Sequence, residues 1–376
     1  MAPTIHLAFV DDWELRGNGS GDVRKMQFKP LRELVGIYNK YGVHGSFNAE
    51  VLQQLTFRAN QDRHPELRVL ADEWEESVKY AYSNGHDVQL HIHPQWKNAK
   101  YDGEKWELVS DWSILNYPAR EALEMLQAGK QYLEDLLQEI DPDYRCLSFR
   151  SGSWCIAPSP HMLELLVKIG VVFDMSIVGG VKLDTRRINL DYTECEEDFL
   201  PYYPEMSDAR KVSKKKEPIV CVPTNCFYAS RKLVFRQQLA RAKRKFVKVA
   251  PKSTGQAVAT YSAEWEPAGD SRLRRVLDEK LVPYIKGQHY ISDLAQLNSE
   301  LMSEMLTSIR RRALKSGYTD VPVILENHTK DVKDFSTIEE FVKEVSRAPD
   351  IKFVTLTKLA KGLQDGKFKV KSLLQK

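Results

Sequence analysis

Short apolar runs alternate with amphipathic helical segments from the first residues onward, and that rhythm constrains the fold more than any other feature of the chain. IHLAFV is a run of β-formers, and KMQFKPLRELVGIYNKYG after it has helical spacing and closes on Gly42. VHGSFN and PELRVLADEWEESVKYAYSNG repeat the pair, and DVQLHIHP, PAREALEMLQAGKQYLEDLLQEI, RCLSFRSG, SPHMLELLVKIG and VVFDMSIV continue it. Strand then helix, repeated, implies parallel strands joined by helical crossovers. The rhythm lapses after residue 181. From there to residue 318 the clear strand is PIVCVPT, and ISDLAQLNSELMSEMLTSIRRRALKSG reads as one long helix. It resumes with VPVILENH, TIEEFVKEVSRA, IKFVTLT and KLAKGLQ. The expectation is one barrel-like α/β domain. Residues 1–181 form its first part, residues 182–318 an insertion region holding one barrel strand near 218–224, and residues 319–376 its last part.

Composition narrows the class. With 42% hydrophobic and 28% charged residues, the chain has the make-up of a water-soluble globular protein. No stretch approaches the ~20 apolar residues of a membrane span. MAPTIHLAFVDDW has no basic region followed by an apolar signal core, so a cytoplasmic location is expected. The five cysteines contain no C-x-x-C pair, which fits reduced thiols rather than a disulfide framework. A net charge of +3 argues against a nucleic-acid partner. The charge is uneven, however: residues 208–252 hold fourteen Lys/Arg against two acids.

The chemistry-bearing residues gather at strand ends. In DVQLHIHP the alternation of a strand puts Val88, Leu90 and Ile92 on one face and Gln89, His91 and His93 on the other. Two imidazoles two residues apart, roughly 7 Å between Cβ atoms, can turn onto one ion. Two hydrogen-bonded surface histidines are the plainer reading. His86 lies out of phase with both and is the weaker candidate ligand. The first strand ends in Asp11 and Asp12, the fourth runs into Arg150 and Trp154, and the strand after the insertion ends in His328. In parallel α/β folds that end is where chemistry collects.

On these residues the chain resembles the polysaccharide deacetylase superfamily, in its divergent His-x-His-Pro branch. The motifs in order are AFVDD, GHDVQLHIHP, FRSGSW, FDMSI and VILENH. The likeness covers most of residues 4–178 and 319–365. It implies a distorted β/α barrel, often of seven strands, and a metal-dependent carbohydrate N-deacylase. It also implies that Asp12, His91 and His93 hold one divalent ion, most commonly zinc. Asp11 then resembles the general base, Arg150 its partner, His328 the acid, and Asp174 the residue that holds His328. Ser153 and Trp154 would meet the substrate, with Glu14, Asn48 and Glu326 as further contacts. The chain departs from the usual pattern in three places: the histidines stand two apart rather than four, Trp13 replaces a glycine, and Gly152-Ser153-Trp154 replaces a Pro-Pro-Tyr type of turn.

The implied substrate is an N-acetyl or N-formyl amino sugar. Without a leader, a nucleotide- or lipid-linked precursor of a surface polysaccharide fits better than a cell-wall polymer. The basic segment RKLVFRQQLARAKRKFVK keeps three readings open: a solvated helix face, a phosphate contact to such a substrate, or docking on an anionic membrane surface. GNGSGD reads as a loop over the site. Two rival functions stand beside the deacylase. One is a metal-dependent amidohydrolase acting on a small non-sugar amide; the other is a non-catalytic carbohydrate-binding barrel. The sequence leaves the oligomeric state open.

Overall fold

The computed structural model describes residues 2–237 and 287–373. Its first half runs β1 (Thr4–Trp13), α1 (Lys29–Lys40), β2 (Ser46–Glu50), α2 (Val51–Asn60), α3 (Pro65–Ser83), β3 (Asp87–Ile92) and α4 (Ala119–Gln138). Its second half runs β4 (Ser148–Ser151), α5 (Met162–Lys168), β5 (Phe173–Asp174), β6 (Val220–Cys221), α6 (Ser299–Ser316), β7 (Asp320–His328), α7 (Phe335–Val345), β8 (Ile351–Phe353) and α8 (Leu356–Gln364).

The strands form one parallel sheet in the order β6-β5-β4-β3-β2-β1-β7. β8 shares the edge of β1 with β2, pairing Ile5–Leu7 while β2 takes Val10–Trp13. The ring closes just past β6: Thr224 bridges to Ile324, and the Asn225 N–H donates to the Ile324 carbonyl at 2.9 Å. The result is the distorted seven-stranded β/α barrel that the strand–helix rhythm and the resemblance together predict.

Alternation decides what each face of the ring buries. Outward, Leu7, Phe9, Phe47, Val88, Leu90, Ile92 and Phe149 pack into the main apolar core. Inward, Ala8, Val10, Phe173, Met175, Val220, Val222 and Ile324 join Val354, Leu356 and Leu359 in a second cluster that plugs the lower barrel. Full burial of each large side chain stabilises the fold by about 1.5–3 kcal/mol. α1 shows how a helix is drawn onto the ring: Leu31, Leu34, Val35 and Tyr38 recur at helical spacing and are buried together. α6 stops where Gly317 takes φ +72°, the left-handed close of a helix.

Several elements differ from expectation, among them two antiparallel hairpins in the insertion region, Lys182–Asp184 with Asn189–Asp191 and Pro204–Glu205 with Asp208–Val212. VLQQLTFRAN is a helix, α2, because the Glu50 carboxylate caps it by accepting the backbone N–H groups of Leu52 and Gln53. The segment QHYI, Gln288–Ile291, is a strand paired antiparallel with Cys226–Ala229, so α6 begins only at Ser299, capped by Asn298. Residues 292–294 run beside β7: the Glu326 N–H donates to the Ser292 carbonyl, and the Leu294 N–H to the Glu326 carbonyl. Of the basic segment, residues 231–237 are helical and the remainder lies outside the described residues. The five thiols are free. Among the described residues, no helix is long and apolar enough to cross a membrane.

Candidate active site

The inward face turns polar near the C-terminal ends of the strands. Asp12 stands in register with His328 on one side and Asn48 on the other, and His91 with Glu50 and Arg150. Period-2 alternation carries the same face on to Glu14, His93 and, backward along β7, Glu326.

Two groups of donors share this space. Glu14, His91 and His93 place one ligand atom each within 4.8 Å of one another, and so do Asp12, Glu326 and His328. In the first group Glu14 Oε2 lies 3.2 Å from His91 Nε2 and also meets His93 Nε2. His91 Nδ1 is 2.9 Å from the Arg150 carbonyl, which turns Nε2 inward, and the Gln95 amide lies 2.8 Å from His93 Nδ1. Supporting bonds of this kind fix metal-binding imidazoles. Glu14 Oε1 takes the Lys330 ammonium at 2.6 Å.

The second group is already balanced by cations. Arg150 is fully buried; its Nη1 donates to Glu326 Oε2 at 2.6 Å, its Nη2 to Thr224 Oγ1 at 2.9 Å, and its Nε lies 3.3 Å from Asp12 Oδ1. Asn48 Nδ2 also donates to Asp12, at 2.8 Å. His328 Nδ1 meets Asp293 Oδ2 at 2.8 Å, and its Nε2 points to Asp12 Oδ2 and Glu14 Oε1, each 3.8 Å away. Trp154 donates its indole N–H to Glu326 at 3.1 Å and sets its ring edge-on to His328. Ser153 and Trp154 reach that position through consecutive left-handed conformations, φ +54° and +57°, a strain of the sort concentrated at functional sites.

Burial pushes the His328 imidazole down, but Asp293 and Glu326 outweigh it and raise its pKa to about 10. His91 is likewise lowered by burial yet raised on balance to about 9, first by Glu14 and then by Asp12. Burial works against the Glu14 carboxylate, but His93 and Lys330 hold it well below the usual range. Burial raises Glu50, at the edge of this cluster, to about 8.

Among the expected site residues, Asp12, His91, His93, Arg150, Trp154, Asn48, Glu14 and His328 come together. Asp11 does not: it lies one residue out of phase with Asp12 and faces outward. There it accepts the Tyr38 hydroxyl at 2.9 Å and the Asn327 amide at 2.6 Å. Asp174 is out of phase as well. Its carboxylate accepts the Ser176 hydroxyl and backbone N–H, and the partner of His328 is Asp293 instead. His86 bonds Gly45 and Asn39, away from the cluster. Asp293 had no signal in the sequence, because the irregular stretch that carries it scans as helix. Glu14 and Glu326 did have one: each stands two residues from Asp12 or His328 on the same strand face.

The contrast between Asp11 and Asp12 yields a prediction. Burial raises the Asp11 carboxyl from 3.8 to about 7. Between those pH values the folded chain keeps a proton that the unfolded chain has released, so stability falls as pH rises through the window. Asp11→Asn removes that contribution. In urea unfolding the variant should lose less stability from pH 5 to 7 than wild type; an equal loss would show that Asp11 does not titrate in its outward niche.

No protein-family model and no curated protein matches the sequence. Solved structures do. A protein from Mycobacterium smegmatis described as a "putative polysaccharide deacetylase" aligns over 100% of this chain and 96% of its own, at 13% identity and a TM-score of 0.53. The two chains share the barrel. A "probable polysaccharide deacetylase" from Pseudomonas aeruginosa PAO1 aligns over 97% of this chain and 93% of its own, at 11% identity and a TM-score of 0.47. A 4-alpha-glucanotransferase from Thermococcus litoralis aligns over 98% of this chain and 41% of its own, at 12% identity and a TM-score of 0.47. The likeness to the Mycobacterium smegmatis protein shows the fold alone; the function has to be argued from the site.

Proposed function

We propose that the protein is a metal-dependent hydrolase that removes an N-acyl group, acetyl or formyl, from an amino sugar. One observation carries the reading. A donor set of one carboxylate and two imidazoles, Glu14, His91 and His93, stands beside a carboxylate held by arginine, Asp12, and an imidazole held by carboxylate, His328. Asp12 thus leaves the ligand role that the resemblance gives it, and Glu14, on the same face, takes it over.

The donor set fits a divalent ion. Both Nε2 atoms and Glu14 Oε2 converge, and a nitrogen-rich set with one carboxylate suits zinc. A bound ion there would polarise the acyl carbonyl and acidify a water molecule. The side chains divide the remaining work. Asp12 accepts the proton of the attacking water, and Arg150, 3.3 Å away, is its counter-charge. His328, protonated at neutral pH, gives its Nε2 proton to the departing amine. Asp293 holds Nδ1 and so aims that proton inward. Trp154, through Glu326, keeps the Arg150 guanidinium in place.

On this reading the substrate is a nucleotide- or lipid-linked amino sugar handled in the cytoplasm. The cations of the basic segment, of which residues 231–237 are described, are the sequence feature that supports a phosphate-bearing substrate, through charge alone.

The test is elemental analysis of wild type and of a His91→Ala/His93→Ala double variant, with acetate or formate release from nucleotide-linked N-acyl amino sugars as the activity. The expected result is about one divalent ion per chain in wild type, lost together with activity in the variant. Wild type that holds no ion after dialysis against zinc would refute the hydrolase reading.

A further inference from the structure

Lys330 sits two residues past His328, in the short turn Thr329–Asp331 that follows β7. The turn is pinned to the barrel because the Thr329 hydroxyl donates to the Asp12 carbonyl at 3.2 Å. Its side chain is 15% exposed and that of Glu14 is 3% exposed, so their 2.6 Å contact is made almost out of water. A buried ion pair of this kind is costly to assemble and is seldom explained by stability alone. It also divides the Glu14 carboxylate. Oε1 faces the ammonium, while Oε2 faces the Nε2 atoms of His91 and His93.

We infer that Lys330 is a charge-regulating residue of the metal centre: it occupies one oxygen of Glu14, confines that carboxylate to a single ligating oxygen, and holds down the affinity for a divalent ion. The inference rests on Glu14, His91 and His93 being the ligands. An ammonium and a divalent ion compete for the same carboxylate charge, and in a site this dry the competition is weakly screened. Confining Glu14 to one oxygen also keeps coordination positions open for water and substrate, as a catalytic site requires and a closed structural site does not. The centre gives up affinity and keeps more of its positive charge to act on a carbonyl.

The experiment measures zinc dissociation constants by competition with a chromophoric chelator, on wild type, Lys330→Met and Lys330→Arg, with circular dichroism confirming the fold. Lys330→Met is expected to bind zinc at least about tenfold more tightly, the size of change that supporting residues exert on metal sites. Lys330→Arg keeps the charge and should stay within about threefold of wild type. If Lys330→Met does not fold, Lys330→Gln, which retains a donor to Glu14 without the charge, takes its place. A folded uncharged variant that binds zinc equally or more weakly overturns the inference and leaves the ligand set standing. Wild type that binds no zinc overturns both.

Discussion

On the proposed function, Asp12→Asn is expected to slow N-acyl amino-sugar hydrolysis by about 10²- to 10⁴-fold, the usual contribution of a positioned base, with metal content unchanged from wild type. The substitution preserves shape and the contact with Asn48 but removes the charge that Arg150 faces at 3.3 Å. Asp11→Asn, one residue away and facing Tyr38, should stay within several-fold of wild type. Steady-state rates and metal content on the two variants decide the matter. Rate loss with metal retained in Asp12→Asn supports the base role. Loss of metal would return Asp12 to the ligand set. Full activity in Asp12→Asn with loss in Asp11→Asn would reverse the assignment and require the outward niche to open.

Arg150→Met should lower folding stability by about 3–5 kcal/mol, the usual cost of stranding one partner of a buried ion pair. Arg150 is the counter-charge of both Asp12 and Glu326, and no solvent reaches it. Without it, two carboxylates remain in the barrel interior and both favour their protonated forms. The folded variant then holds protons that the unfolded chain releases, so its stability falls as pH rises. The deficit against wild type should therefore be larger at pH 8 than at pH 5, as measured by urea unfolding at each pH. Arg150→Lys, which restores a charge without the two-pronged geometry, should recover part of the loss. A deficit independent of pH would mean that the cost is lost packing rather than stranded charge.

Much of the barrel can be read from local pattern. A run such as IHLAFV followed by amphipathic KMQFKPLRELVGIYNKYG is nearly self-interpreting, because the faces that bury themselves are fixed by periods of two and 3.6. β5 and β6 are legible as the runs VVFDMSIV and PIVCVPT, but only two residues of each pair in the sheet, and neighbouring strands set which two. α2 is not legible in the sequence because its start depends on the Glu50 cap, which no hydrophobic period announces.

The amino-acid sequence determined which residues could do chemistry and, through alternation, which of them share a face. His91 with His93, Asp12 with Glu14, and Glu326 with His328 are paired by spacing along one strand. The same spacing puts Asp11 and Asp174 on the opposite face of their strands, where they meet Tyr38 and Asn327, and Ser176. Tertiary structure decided which faces meet. Glu14 joins the histidines only because β1 and β3 curve toward one axis, Arg150 reaches Asp12 and Glu326 from across the ring, and Asp293 arrives beside His328 because residues 292–294 run along β7. Alternation is a property of one strand. Convergence is a property of closure, and closure depends on contacts between residues as far apart as Asp12 and His328.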